Sequence, residues 1–150
     1  MPRPHIPKNL RLLVIERACG CCEFCLVPQL TDSGSHQIDH LLALKHGGLT
    51  VEGNLAFACI YCNKHKGTDM GTIDPDTGEF VFLFNPRTQN WLDHFKLDGV
   101  RIAGITATGR ATVRLLQMNE TERLFDRQVL QEEGLYPPEH ILGATTQATA

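Results

Sequence analysis

The chain has no apolar run approaching the roughly 20 residues that a membrane-spanning helix requires, so no membrane partner is expected. Its opening, Met1-Pro2-Arg3-Pro4-His5, lacks the apolar stretch of a secretory signal. The expectation is a cytoplasmic protein, in which closely spaced cysteines serve as metal ligands more readily than as disulfides. A basic excess is also missing: 14 Lys/Arg face 17 Asp/Glu, and residues 1–70 carry seven Lys/Arg against six Asp/Glu. Proteins that hold nucleic acid by bulk charge neutralisation are basic. Any nucleic-acid chemistry here must therefore rest on local geometry and bound metal. There is no internal repeat, and low complexity is confined to residues 144–150, which read as a disordered tail. Residues 1–143 have the length of a single domain, with a core at about 10–70 and an extension at about 71–137.

What the chain does have is clustered cysteine. Cys22-x-x-Cys25 and Cys59-x-x-Cys62 are two tight turns of the kind that present paired thiolates, and two such turns complete a tetrahedral zinc site. Soft thiolates select zinc or an iron–sulfur cluster over magnesium or calcium. Cys19-x-x-Cys22 is an equally good frame on spacing alone and would leave Cys25 spare. Cys19 and Cys21 are otherwise read as unliganded thiols near the site. A thiol redox pair is the bland alternative.

The periodicity predicts a helix over residues 8–18, a strand from 38 towards 44 ending at Gly47-Gly48, a second apolar run over 55–59 and a helical segment over 61–66. Asp74-Pro75-Asp76-Thr77-Gly78 is a turn before the strand-length run Phe80 to Phe84. Asp98-Gly99 joins two further strand-like runs as a hairpin, residues 109–118 are helical in pattern, and Asn119 and Gly134 bracket a last helix.

The stretch between and after the cysteine pairs contains Ile38-Asp39-His40, Lys45-His46-Gly47-Gly48, Asn54-Leu55 and Asn63-Lys64-His65-Lys66-Gly67. Neighbours on a strand point to opposite faces, so Asp39 can address a cation while His40 addresses a water. A hard oxygen donor such as Asp39 or the Asn63 carboxamide suits Mg²⁺ or Mn²⁺, and a histidine suits proton abstraction at neutral pH. Asp-His, a Gly-Gly loop, Asn-Leu and Cys-x-x-Cys-Asn-x-x-Lys-Gly, in that order, resemble the HNH endonuclease family of ββα-metal proteins. The likeness extends through Gly78-Glu79, Leu83-Phe84-Asn85-Pro86-Arg87, Trp91, His94-Phe95, Gly109-Arg110-Ala111-Thr112-Val113 and Met118-Asn119, as in a stand-alone bacterial branch of that family.

The resemblance implies an α+β fold: a ββα-metal core stapled by a four-cysteine zinc site, with an added hairpin and C-terminal helices. It favours the Cys22/Cys25 frame, with Cys22, Cys25, Cys59 and Cys62 holding structural Zn²⁺. It implies His40 as general base, Asp39 and Asn63 as ligands of a catalytic Mg²⁺ or Mn²⁺, and Asn54 as the residue that holds the loop and orients His40. Asn63 stands at the family's third motif position in place of His, and many members carry Asn there. The implied activity is hydrolysis of DNA phosphodiesters to 5′-phosphate and 3′-hydroxyl ends. The alternative is a catalytically silent, zinc-stabilised nucleic-acid or protein interaction module, which the acidic stretch Glu120, Glu122, Asp126, Glu132 and Glu133 favours.

Around this centre, Lys45, Lys64 and Lys66 are candidate nucleic-acid phosphate contacts because they flank it. His65 is read as surface or phosphate-facing, His36 as a solvated strand residue and His46 as a loop residue within reach of substrate. Trp91, Phe80, Phe82 and Phe84 are read as core. Arg101, Arg110 and Arg114 could extend a DNA track, diluted by Asp93 and Asp98.

Overall fold

A computed structural model describes residues 5–30 and 36–143; the proposed tail at 144–150 and the opening Met1 to Pro4 lie outside the described residues. The chain forms α1 (Lys8–Arg17), β1 (Gln37–His40), β2 (Leu55–Ala58) and α2 (Ile60–Lys66). It continues with β3 (Gly71–Ile73), β4 (Phe80–Phe82), α3 (Trp91–His94), β5 (Phe95–Asp98), β6 (Arg101–Gly104), α4 (Ala107–Leu115) and α5 (Thr121–Glu132). The strands pair as three separate antiparallel hairpins, β1–β2, β3–β4 and β5–β6. The architecture is mixed helix and small antiparallel sheets, with β1, β2 and α2 forming a ββα unit.

The β1–β2 hairpin is covered on both faces, which explains why β2 is an unbroken apolar run and fully buried. Leu55 and Phe57 pack with Val14 and Ala18, and with Ile15 and Ile38, on the α1 side. Ala56 and Ala58 join the other cluster, with the four cysteines of the pairs, Phe24, Trp91, Phe95, Ile102 and Tyr136. One apolar core thus includes residues from the cysteine turns and from the C-terminal half. The two halves are further tied by hydrogen bonds from Trp91 Nε1 to the Phe24 carbonyl at 2.8 Å and from the Tyr136 hydroxyl to the Cys25 carbonyl at 2.9 Å.

Strand β1 is shorter than the expected run to residue 44. The register ends with His40 opposite Leu55. Beyond it, the Leu41 amide donates to the Asn54 carbonyl and the Leu42 amide to Asn54 Oδ1, both at 2.8 Å, so the chain leaves the ladder without orphaned donors. A 3-10 turn follows at Leu44–His46. Gly48 closes this loop against Leu42, whose carbonyl oxygen would lie 1.8 Å from an added Cβ; only glycine fits.

The aromatic residues of β4 depart from expectation. Phe84 and Trp91 are buried, but Phe80 and Phe82 are 61% and 67% exposed. They share one face of the strand and touch edge to face. That face of the two-stranded sheet has no described element over it, whereas Leu83 and Phe84 have passed the strand end and turned inward.

Candidate metal centres and active site

The Cys22–Cys25 turn and the Cys59–Cys62 start of α2 converge. The four sulfurs lie within 4.8 Å of one another and all four residues are buried. Cys25 Sγ and Cys59 Sγ are 3.6 Å apart, close to the edge of about 3.8 Å for a thiolate tetrahedron with Zn–S bonds near 2.3 Å. The backbone supports the sulfurs: Cys22 Sγ accepts from the amides of Phe24 and Cys25, and Cys59 Sγ caps α2 by accepting from the Cys62 amide, each at 3.4 Å. Donor chemistry, spacing and burial fit a zinc ion. Among the described residues this is the cluster that could hold a metal, and Cys19 and Cys21 are not in it. Cys19 is exposed, and the buried Cys21 thiol, pushed up to about 11 by burial, sits over the Cys19 carbonyl.

A residue that sequence reasoning missed reaches this cluster. Arg123 on α5 donates to Cys62 Sγ at 3.0 Å and lies 3.8 Å from Cys59 Sγ, with its guanidinium 5.6 Å from the Tyr61 ring centroid. It is only 4% exposed. Burial works against its charge, but the charges of Cys62, Cys25 and Cys59 outweigh that and raise its pKa. An arginine in an ordinary amphipathic helix carries no mark of such a role.

At the other end of α2 lies a cleft of about 580 Å³, lined by Asp39, His40, Lys45 and Asn63 among others. Three of the four residues expected at the chemistry, Asp39, His40 and Asn63, therefore line one cleft. Asn54 does not line it. Its Nδ2 donates to the carbonyls of Leu42 and Leu49 at 3.0 and 2.8 Å, clamping the loop. The expected bond that orients His40 comes from elsewhere: Thr50 Oγ1 lies 2.9 Å from His40 Nε2. Burial, reinforced by the Lys66 charge and opposed by Asp39, lowers the His40 pKa from its ordinary value, so its imidazole is neutral at pH 7.

Lys66 corrects a second expectation. Rather than standing free for phosphate, it is 3% exposed, its Nζ 2.9 Å from Asp39 Oδ2 and 3.2 Å from the His40 carbonyl oxygen. Asp39 is buried too, and burial raises its pKa against the pull of Lys66. Asp39 Oδ2 is satisfied by the Lys66 ammonium. The carboxylate and the Asn63 carboxamide, whose Nδ2 donates to Gln37 Oε1, line the same cleft, and oxygen donors of this kind suit a hard divalent cation.

Of the other candidates, Lys45, Lys64 and His46 are exposed and His65 is half-buried. His36 is not simply solvated: its Nε2 lies 2.9 Å from the Val27 carbonyl oxygen and its ring packs on Phe57. Arg110 is withdrawn from any DNA track, because it makes a bidentate pair with buried Asp74 at 3.0 and 2.8 Å and touches Asp76.

Residues 21–69, which hold the ββα unit and the cysteine cluster, match the family model described as HNH endonuclease. Over 136 residues the chain is 24% identical to the Septu protein PtuB of Bacillus thuringiensis, across 89% of this chain and 50% of that one. The chain thus spans about half the length of this relative. No solved structure matches the chain.

Proposed function

We propose that this protein is a metal-dependent endonuclease that hydrolyses DNA phosphodiester bonds in the cleft at the C-terminal end of α2. The observation that carries this reading is the one cleft lined by Asp39, His40 and Asn63, with a neutral imidazole open to it. Asp39 and Asn63 would hold Mg²⁺ or Mn²⁺, which supplies Lewis-acid stabilisation of the phosphate and the leaving oxygen. Zinc on the four cysteines would be structural.

In this reading His40 Nε2–H donates to Thr50 Oγ1, which leaves Nδ1 as the lone pair that takes a proton from water. Asn54 keeps the loop that carries Thr50 closed, and is a positioning residue. Lys66 holds the Asp39 carboxylate in the ionised form that a cation needs. Lys45 and Lys64 are exposed and free to meet backbone phosphates.

The Lys66–Asp39 ion pair is also what a silent zinc-stabilised module would carry, so the two readings need separating. Plasmid nicking with added Mg²⁺ or Mn²⁺ does so. The wild type is expected to nick, EDTA to abolish nicking, and His40→Ala to slow it about 10²–10⁴-fold with an unchanged melting temperature. A His40→Ala protein that nicks like the wild type ends this assignment.

A further inference from the structure

The cleft continues past the reacting centre, and its far end is made by α1, which lies outside residues 21–69. Ile6 and Ile15 from this N-terminal region meet Ile38 and Phe57 there, beneath the tilted His36 ring, whose centroid is 5.2 Å from that of Phe57. Gln29 brings a carboxamide to the same wall. Arg11 lines the rim from the exposed side of α1, and its side chain has no ion pair among the described residues.

A duplex gripped by its backbone offers phosphates and sugars, which cations and amide groups satisfy. An apolar floor beside an aromatic ring and a carboxamide has no counterpart there. It matches a nucleobase, which has an apolar face and a hydrogen-bonding edge. The volume of about 580 Å³ is in the range of pockets that enclose a small organic ligand, so a base with its sugar has room.

We infer that the α1 end of the cleft is a nucleobase subsite. It takes one unstacked base of a single-stranded or locally opened strand, next to the phosphate presented to His40, while Arg11 contacts the adjoining phosphate. The substrate class is then flexible strands, because lifting a base out of its stack costs least where pairing is absent. This inference rests on the nuclease reading for what the cleft holds, and not for whether cleavage occurs.

The test is fluorescence anisotropy with zinc-loaded His40→Ala protein, which is spared cleavage. A dodecameric single-stranded DNA is compared with an oligomer of abasic residues of equal length and charge. The DNA is expected to bind at least about tenfold tighter, the scale of one stacked base. Ile6→Ser combined with Ile15→Ser should erase that difference, and Ile6→Ser alone, at a site near the chain start, should reduce it. Arg11→Ala should weaken both oligomers alike. Equal binding of the two oligomers overturns the subsite, as does a full base preference in a folded Ile6→Ser/Ile15→Ser protein. Base preference in a protein whose wild type cleaves neither plasmid nor single-stranded DNA overturns the nuclease reading alone.

Discussion

The sulfur cluster and the cleft lie at the two ends of the same short helix, α2, yet they are built in opposite ways. Cys59 and Cys62 at its start join two further thiols in a dry, closed tetrahedron, with backbone amides and Arg123 filling the space outside. Asn63, further along the helix, lines an open cleft together with Asp39, while Lys66 in the last turn is buried against that carboxylate. Closed coordination suits a metal that holds structure, whereas open coordination suits one that must admit substrate. The same helix carries residues of both, so a closed end supports an open one.

The sharpest break of that comparison is to remove each end in turn. Cys59→Ser, or stripping zinc with a chelator, should unfold the protein, since structural zinc contributes on the order of 10–16 kcal/mol. Far-UV circular dichroism with zinc analysis would record it. A chelated protein that keeps its fold and its melting temperature would show the two ends to be equivalent.

Next in size is Lys66→Met, which leaves the buried Asp39 carboxylate without its ammonium. Breaking one partner of a buried pair costs about 3–5 kcal/mol, read as a lower urea midpoint. Added Mg²⁺ should recover part of that loss in this variant and less in the wild type. Equal recovery in both would mean that the cation does not meet Asp39.

The acid limb of activity tests the cleft alone. Because burial lowers the His40 pKa, the rate should hold from neutral pH downward and fall only below about 6.5. The sign for stability is the same: a histidine with a depressed folded pKa stabilises the fold above the unfolded value. That contribution is lost as pH falls through the folded one. A rate inflection above 6.5 would contradict a desolvated base. The smallest effect is expected from Thr50→Val, which removes the His40 partner. A net hydrogen bond of about 0.5–1.5 kcal/mol corresponds to a several-fold slower turnover with little change in melting temperature. No change in turnover would return the orienting role to Asn54.

Much of the cysteine end was legible, because spacing narrows it to two frames and the family resemblance favours Cys22/Cys25. Thiols three residues apart on a tight turn can face one way, and coordinates decided between the two possible frames by placing Cys19 outside the cluster. A strand from 38 and a helical segment over 61–66 were legible from local pattern, whereas residues 55–59 read only as an apolar run, whose pairing as β2 came with the family resemblance. Apart from the length of β1, the misreadings were matters of contact across distance. Lys66 looks like any lysine in a basic stretch until Asp39, far away in sequence, is found against it. Phe80 and Phe82 look like core because nothing in a strand's composition states whether a second layer covers it. Thr50 and Arg123 had no local signature at all, as each acts through a partner that folding brings near.

Arg123 has a consequence for how this protein can be divided. Four thiolates around one divalent ion leave excess negative charge in a dry interior, and the guanidinium that offsets it arrives from beyond residue 69. A fragment trimmed to the HNH segment would keep every ligand and still surrender its counter-ion, along with the Trp91 and Tyr136 anchors on the Cys22–Cys25 turn. The C-terminal half is therefore part of the electrostatics of the cysteine cluster, and cannot be treated as a detachable appendage.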